Sequence, residues 1–455
     1  IIKMNIKTIV LAAGKGTRMK SNKAKVLHQI GGKPMLQHVI ESARPLSSEV
    51  VVVYGHDGEE VKKKHSQFDI NWVEQTEQLG TGHAVKQASN NIAEDDIVLI
   101  LYGDVPLIHS STLHKLITQV GTNSMSLLTV TLENPMGYGR IVREGNKVCK
   151  IVEQKDATDV QLQITEVNTG IMAVHGKHLV NWLGKLNNSN SQGEYYLTDI
   201  IEMAVNEEVS VNTVHAVNEF EVQGVNSKIQ LNELERYYHL YQAEELMNLG
   251  ATLADKSRID VRGELTLAGN DVYIDINNVF IGAVSLGSNV HIGPNCVIEN
   301  AIIADGVVIK ANSVLENCVV GENSTIGPFA RLRPGAELAK SVHIGNFVEV
   351  KKSTIDEGSK VNHLSYIGDA EIGKFVNVGA GTITCNYDGV NKHKTAIKDG
   401  AFIGSGTQLV APVTVEEGAT LGAGTTLSKD APANALTVTR AKQITLNGWK
   451  KPMKD

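Results

Sequence analysis

A six-residue ladder runs through the last two-fifths of the chain. Aliphatic residues return at Leu286, Ile292 and Ile298, then at Ile303, Ile309 and Leu315, then at Val320, Ile326, Leu332, Leu338, Ile344 and Val350. The series resumes at Ile397, Ile403, Leu409, Val415, Leu421 and Leu427, and glycine often follows the aliphatic residue, as at Gly293, Gly345, Gly404 and Gly422. A helix cannot keep one face at a period of six. A parallel β-helix can, because each hexad is one short strand plus a corner and three hexads close one coil. The ladder is also a ruler: it says which side chains face outward and which stack on neighbouring coils.

The 455 residues allow two to four domains. A net charge of −7 leaves no electrostatic footprint for a nucleic-acid partner. The longest apolar stretches, such as Ile97–Tyr102, have the length of a strand and exclude membrane insertion by helix. No secretory-type apolar core is visible near the start, where residues 6–13 read as a buried strand. Cys149, Cys296, Cys318 and Cys385 have no metal-ligand spacing. These features predict a reduced, soluble, cytoplasmic protein.

Before the hexads, short apolar strands (Ile6–Leu11, Val50–Tyr54, Ile97–Tyr102, Met125–Leu132, Gly170–Val174) alternate with amphipathic segments such as Pro34–Ala43 and Thr81–Asn91. This pattern predicts an α/β domain over residues 1–228 with a mainly parallel, Rossmann-like sheet, whose ligands sit beyond the carboxyl ends of the strands. Residues 229–249 lack Pro and Gly and are followed by Gly250, which predicts one linker helix. Residues 250–455 form the β-helix domain. One stretch, Cys385–Ala396, cannot be hexad and must loop out, as functional loops of solenoids do.

The first strand runs into Leu11-Ala12-Ala13-Gly14-Lys15-Gly16-Thr17-Arg18-Met19. Small residues there let backbone N–H groups approach a phosphate, and Lys15, Arg18, Lys23 and Lys25 supply positive charge. The spacing is not that of a Walker A loop. Asp104, in Tyr102-Gly103-Asp104, ends a buried strand, and Asn226 lies just before the linker.

These residues resemble the sugar-1-phosphate nucleotidylyltransferases. With Gln75, Gly80-Thr81, Gly137-Tyr138-Gly139, Glu153, Asn168-Thr169-Gly170, Gly193-Glu194-Tyr195-Tyr196 and the β-helix behind them, the chain resembles one bacterial family over its full length. That family comprises the bifunctional N-acetylglucosamine-1-phosphate uridylyltransferase/glucosamine-1-phosphate N-acetyltransferases. The resemblance implies that Leu11, Ala12, Ala13, Gly14, Gln75, Gly80 and Thr81 hold the uridine, while Tyr102 and Gly103 line the UDP-sugar site. It assigns Gly139, Glu153 and Asn168 to the sugar, Asp104 and Asn226 to Mg²⁺, and Arg18 and Lys25 to the phosphates. Lys23-Ala24-Lys25 departs from the family's usual Leu-Pro-Lys.

In the β-helix the ladder makes its own prediction. Arg333 follows Leu332, and Lys351 follows Val350 three hexads later, so the two cations occupy one position on adjacent coils, about 4.8 Å apart. Such a pair suits a phosphate. Counting onward stacks Tyr366 on Glu349 and His363 on Ala380, which gathers five functional groups along one edge. The resemblance assigns this edge to acetyl transfer from acetyl-CoA to glucosamine-1-phosphate. His363 would be the general base, Glu349 would orient or polarise it, and Arg333, Lys351, Tyr366 and Asn377 would hold the sugar phosphate. Ala380, Asn386, Tyr387, Lys392, Ser405, Ala423 and Arg440 would contact acetyl-CoA. Gly406 departs from the family, which usually shows Asp after Ser405. Left-handed coiling and a homotrimer are implied by the resemblance alone.

The predicted function is therefore a two-reaction transferase. It uses glucosamine-1-phosphate and acetyl-CoA, then N-acetylglucosamine-1-phosphate and UTP, to make the amino-sugar donor of bacterial cell-wall and outer-membrane glycans. The closest rival is a single-activity nucleotidylyltransferase with a regulatory β-helix, but regulation needs no general base. A non-catalytic trimeric scaffold is the other rival, and Asp104, Lys25 and Asn226 speak against it.

Overall fold

The computed structural model describes residues 5–55 and 58–453. It divides into two compact units, Ile1–Tyr238 and His239–Asp455.

In the first unit the sheet path runs β9-β5-β8-β4-β1-β2-β3, using β1 (Ile6–Ala12), β2 (Glu49–Tyr54), β3 (Asn71–Glu74), β4 (Ile97–Tyr102), β5 (Ser124–Thr131), β8 (Glu166–His175) and β9 (Ser210–His215). A hairpin of β6 (Arg140–Glu144) and β7 (Lys147–Val152) attaches to β8. Residues 50–53 of β2 and 97–101 of β4 are unbroken apolar runs with both faces buried, as strands covered by helices on two sides must be. The covering helices include α1 (Met35–Ala43), α2 (Thr81–Gln87), α3 (Ser110–Thr118), α4 (Gly176–Lys185) and α5 (Asp199–Asn206). Four of the six neighbour pairings on the path are parallel, and the two made by β8 are antiparallel. The sheet is thus mixed rather than simply wound. An inserted antiparallel strand keeps the same apolar alternation and leaves no mark on periodicity.

Helix α6 (Lys228–Asn248) contains the boundary between the two units, which falls after Tyr238. It stops at Gly250, whose φ of 102° is open to glycine alone, and the Gly250 N–H closes back on the Met247 carbonyl.

The second unit is a parallel β-helix. One face is an 11-stranded sheet, and a continuous 17-stranded sheet forms the rest. Ile292 pairs with Ile309 and Ile326 with Ile344, so a coil takes 17 or 18 residues. Val378 pairs with Ile403, a step of 25, because the loop between the strands ending at Cys385 and starting at Thr395 is inserted there. Every residue of the ladder is buried, none more than 3 % exposed. Glycines that follow the ladder residue mark places where the next coil comes close: a Cβ on Gly404 would sit 2.5 Å from the Ala423 nitrogen.

Candidate active sites

The nucleotide-side candidates converge at the carboxyl ends of β1 and β4, from segments far apart in sequence. Leu11, Ala12, Ala13, Gly14, Lys25, Gln75, Gly80, Thr81, Tyr102 and Asp104 line one cleft. Gly103 is packed against Ala12, Val26 and Leu36, with no room for a larger residue without displacement. Lys25 follows a turn in which Ala24 has φ −51° and ψ 135°. That φ is close to proline's fixed value, so alanine keeps the backbone that the family's proline would impose.

Lys25 donates to Asp104 Oδ2 and to Asn226 Oδ1, the latter at 2.9 Å. A carboxylate oxygen and an amide oxygen therefore aim at one cationic point. This is a hard-donor pair of the kind that holds Mg²⁺ together with substrate phosphates, and the residues fit that ion. Arg18 lies apart from this group, exposed on a turn at Thr17–Met19 and without an ion pair among the described residues.

The sugar-side candidates meet on the hairpin and β8. Glu153 accepts from Thr198 Oγ1 at 3.1 Å, and its carboxylate abuts Gly139, where a Cβ would come 3.3 Å from Oε1. Burial pushes the Glu153 carboxyl above the ordinary range, against the Thr198 hydrogen bond. Asn168 Oδ1 accepts from Gly170 N at 2.9 Å, and the Tyr102 ring lies flush against Gly170. Burial raises the Tyr102 hydroxyl strongly, ahead of the nearby Asp104 and Glu153 charges. Sequence reasoning missed Gln78, which also lines the cleft and donates to the Ala13 carbonyl at 2.5 Å. Because C=O and N–H of one peptide unit point opposite ways, that bond fixes the direction of the Gly14 N–H.

On the β-helix the ruler holds. Strand β10 (Arg331–Leu332) pairs with β12 (Glu349–Lys351) so that Leu332 stands over Val350, with Arg333 N bonded to the Val350 carbonyl. Arg333 and Lys351 are thereby in register. Glu349 stands under Tyr366 of β14 (Tyr366–Gly368). On the neighbouring face, β11 (His343–Asn346) sets Asn346 under His363 of β13 (Lys360–His363). The Gly381 N–H then bonds the His363 carbonyl, Gly406 N–H the Ala380 carbonyl and Gly424 N–H the Ser405 carbonyl. Asn346, His363, Ala380, Ser405 and Ala423 therefore form one row along the edge. Asn377 sits in the same face three positions before Ala380, beside Lys360.

The contacts inside the cluster differ from expectation in one respect. The hydrogen bond given to Glu349 comes from Arg333, one coil away, at 2.8 Å, rather than from His363. That bond also raises the Arg333 guanidinium above its usual value. The ring of His363 is held by Asn346, with Nδ1 and Oδ1 3.1 Å apart. An amide oxygen only accepts, so Nδ1 carries the proton and Nε2 is left as the basic nitrogen. Asn346 and Asp369 are the residues missed here. Asp369 is buried and receives Asn386 Nδ2 at 2.5 Å, and Asn386 also reaches the Tyr366 hydroxyl at 3.5 Å.

In the inserted loop, Tyr387 and Lys392 form a β-bridge with the Lys392 ammonium 4.2 Å from the Tyr387 ring centre. The Arg440 guanidinium lies by Gly422, next to Ala423 in the row. Gly406 has φ +70° and sits between Gly381 and Gly424 at +73° and +74°. Glycine takes this left-handed corner without a side-chain cost.

The two folds and the two clusters define a nucleotidyltransferase joined to a β-helical transferase with a histidine base candidate. The family models agree: residues 8–145 match the MobA-like NTP transferase domain, and residues 264–355 match the GMPPB C-terminal domain. The bifunctional protein GlmU of Marinobacter nauticus is 58% identical over 448 residues, covering 98% of this chain and 98% of that protein. This chain belongs to the bifunctional GlmU family, whose members are uridylyltransferases and acetyltransferases. A solved nucleotidyl transferase from Methanothermobacter is 18% identical and covers 51% of this chain and 97% of that one; its TM-score of 0.38 carries no conclusion.

Proposed function

We propose that the first unit transfers a uridylyl group from UTP to N-acetylglucosamine-1-phosphate and that the second acetylates glucosamine-1-phosphate from acetyl-CoA. The sugar phosphate is already an anionic nucleophile and needs no general base. Its needs are in-line placement on the α-phosphorus and neutralisation as pyrophosphate leaves. Lys25 and the backbone N–H groups of residues 11–14 supply donors to the phosphates. Asp104 and Asn226 would hold Mg²⁺, which when bound supplies charge neutralisation at the triphosphate. Glu153, Asn168 and Gly139 orient the sugar, and Arg18, exposed at the loop, meets the outer phosphates.

In the second unit His363 Nε2 takes a proton from the sugar amine as nitrogen attacks the thioester carbonyl, and the thiolate leaves. Arg333, Lys351, Tyr366 and Asn377 bind the phosphate and sugar. Glu349 acts by aligning Arg333. Asn386 belongs with this acceptor-side group through its contact with Tyr366. Ala380, Ser405 and Ala423 continue the His363 row with small side chains, leaving a track for the pantetheine arm, with Tyr387, Lys392 and Arg440 at its borders. A homotrimer is supported by apolar residues exposed on successive coils, among them Phe329 and Phe347, whose ring centres are 5.4 Å apart, and Leu364. No helix of the described residues is long and apolar enough to cross a membrane, which agrees with a cytoplasmic site of action.

The observation that carries the reading is the Asn346–His363 pair at the head of the row. A β-helix that only regulates has no use for a histidine whose free nitrogen is fixed. The test is one assay containing UTP, acetyl-CoA and each sugar phosphate, scored separately for free thiol and for pyrophosphate. Thiol release without glucosamine-1-phosphate dependence, or pyrophosphate alone, would return the case to the single-activity enzyme.

A further inference from the structure

His83 stands between two glutamines. Gln75 Nε2 lies 3.0 Å from His83 Nδ1 and 3.3 Å from the Gly80 carbonyl, and Gln87 Nε2 lies 3.0 Å from His83 Nε2 and 3.3 Å from the His83 carbonyl. An imidazole that accepts at one nitrogen donates at the other, so both amides cannot donate to it at once. One glutamine must present its oxygen. Burial decides which. Gln75 is 4 % exposed, and turning it would face its oxygen to the Gly80 carbonyl with no water to relieve the clash. Gln87 is only partly buried, so it can present its oxygen to His83 Nε2 while solvent relieves its contact with the His83 carbonyl.

We infer that His83 is a specificity-determining residue of the nucleotide site. Its Nδ1 lone pair and the Gly80 carbonyl take both amide hydrogens of Gln75. That leaves Gln75 Oε1 as the acceptor shown to the cleft, where it selects a base edge carrying a ring N–H. Uracil has such an N–H at N3; cytosine has a lone pair there and meets Oε1 with repulsion. Without the Nδ1 acceptor the Gln75 amide loses the shorter of the two bonds that set its direction, and the Gly80 carbonyl at 3.3 Å is left to hold it alone. A site that matches one hydrogen-bond pattern rejects the mismatched analogue because its own buried group is left unpaired. Other residues of the cleft, such as the Ala13 and Gly14 backbone, offer donors and acceptors whose direction His83 does not set.

This inference rests on the uridylyltransferase reading, and the experiment separates the two. In the full chain, kcat/KM for UTP and for CTP is measured with N-acetylglucosamine-1-phosphate for the wild type, His83→Phe and His83→Asn, with thermal unfolding as the check on folding. His83→Phe keeps a ring but no acceptor, and its UTP-to-CTP preference should fall by at least about tenfold, chiefly through KM for UTP. His83→Asn offers an oxygen near the Nδ1 position and should keep most of the preference. A folded His83→Phe whose UTP-to-CTP ratio equals that of the wild type overturns the inference while leaving the activity in place. Should His83→Phe not fold, His83→Ala takes its place, and an unchanged UTP-to-CTP ratio in that folded variant overturns the inference equally. A wild type that uses neither nucleotide strikes the underlying reading instead.

Discussion

The two units build their sites by opposite geometries. In the first, Lys25 meets Asp104 and Asn226 across 79 and 201 residues of sequence, because β1, β4 and the entry to α6 end at the same rim of a sheet. In the second, Arg333 meets Glu349, and Asn346 meets His363, at separations of 16 and 17 residues, which is one coil. Long-range closure produces a cleft where groups such as the buried Gln75 and the partly buried Tyr102 are held by several elements. Stacking produces an open edge where each group leans on the coil above or below. A change in the first site propagates through loops from different elements, whereas a change in the second stays within neighbouring coils.

The contrast is broken most directly by two reciprocal substitutions. His363→Ala should lower acetyl transfer by about 10²- to 10⁴-fold, the worth of a positioned base, while UTP-dependent pyrophosphate release is unchanged. Asp104→Ala should lower pyrophosphate release by about 10²- to 10³-fold and leave thiol release from acetyl-CoA intact. If either substitution removed both activities from folded protein, the sites would not be independent. Asn346→Ala sharpens the comparison at a smaller scale. Its side chain fixes the His363 tautomer without touching the reacting atoms, so kcat for acetyl transfer should fall about tenfold with KM for the sugar phosphate little altered. Loss confined to KM would instead make Asn346 a binding group.

The same contrast explains what could be read in advance. Hexad arithmetic placed Arg333 over Lys351 and Glu349 under Tyr366 from the sequence, because in a solenoid sequence distance is spatial distance. The Asn346 column was available to the same arithmetic, since 346 and 363 differ by the same 17 as 349 and 366. Asn346 ends β11 one coil away from His363, where the ladder marks no aliphatic residue. Gln78 and His83 were not legible. Their roles depend on residues 75–80 and α2 folding back on Ala13 and Gly80, which no local pattern announces. The antiparallel β8 was hidden for a related reason: period-two alternation reports which face is buried, not which way the neighbour runs.

The smallest effect tests how each unit holds its surface charge. Arg143 donates to both Glu166 oxygens at 2.7 Å between β6 and β8, and this holds the Glu166 carboxyl below its ordinary value of 4.5. Lys394 does the same for Glu371 beside the inserted loop, but with both side chains more than half exposed. A carboxylate whose folded pKa is depressed stabilises the fold above its unfolded value, and the benefit is lost as pH falls through the folded one. Arg143→Met should therefore destabilise the first unit at pH 7 by no more than about 1 kcal/mol, allowing for solvent screening, and the difference should shrink once the pH drops below that ordinary value. Trp72 and Trp182 lie in the first unit, Trp182 fully buried, whereas Trp449 is exposed in the tail, so urea unfolding followed by tryptophan fluorescence reads the first unit. Lys394→Met should leave that midpoint untouched at either pH. An equal loss at pH 7 and pH 3 for Arg143→Met would assign the effect to lost packing of the arginine stem rather than to its charge.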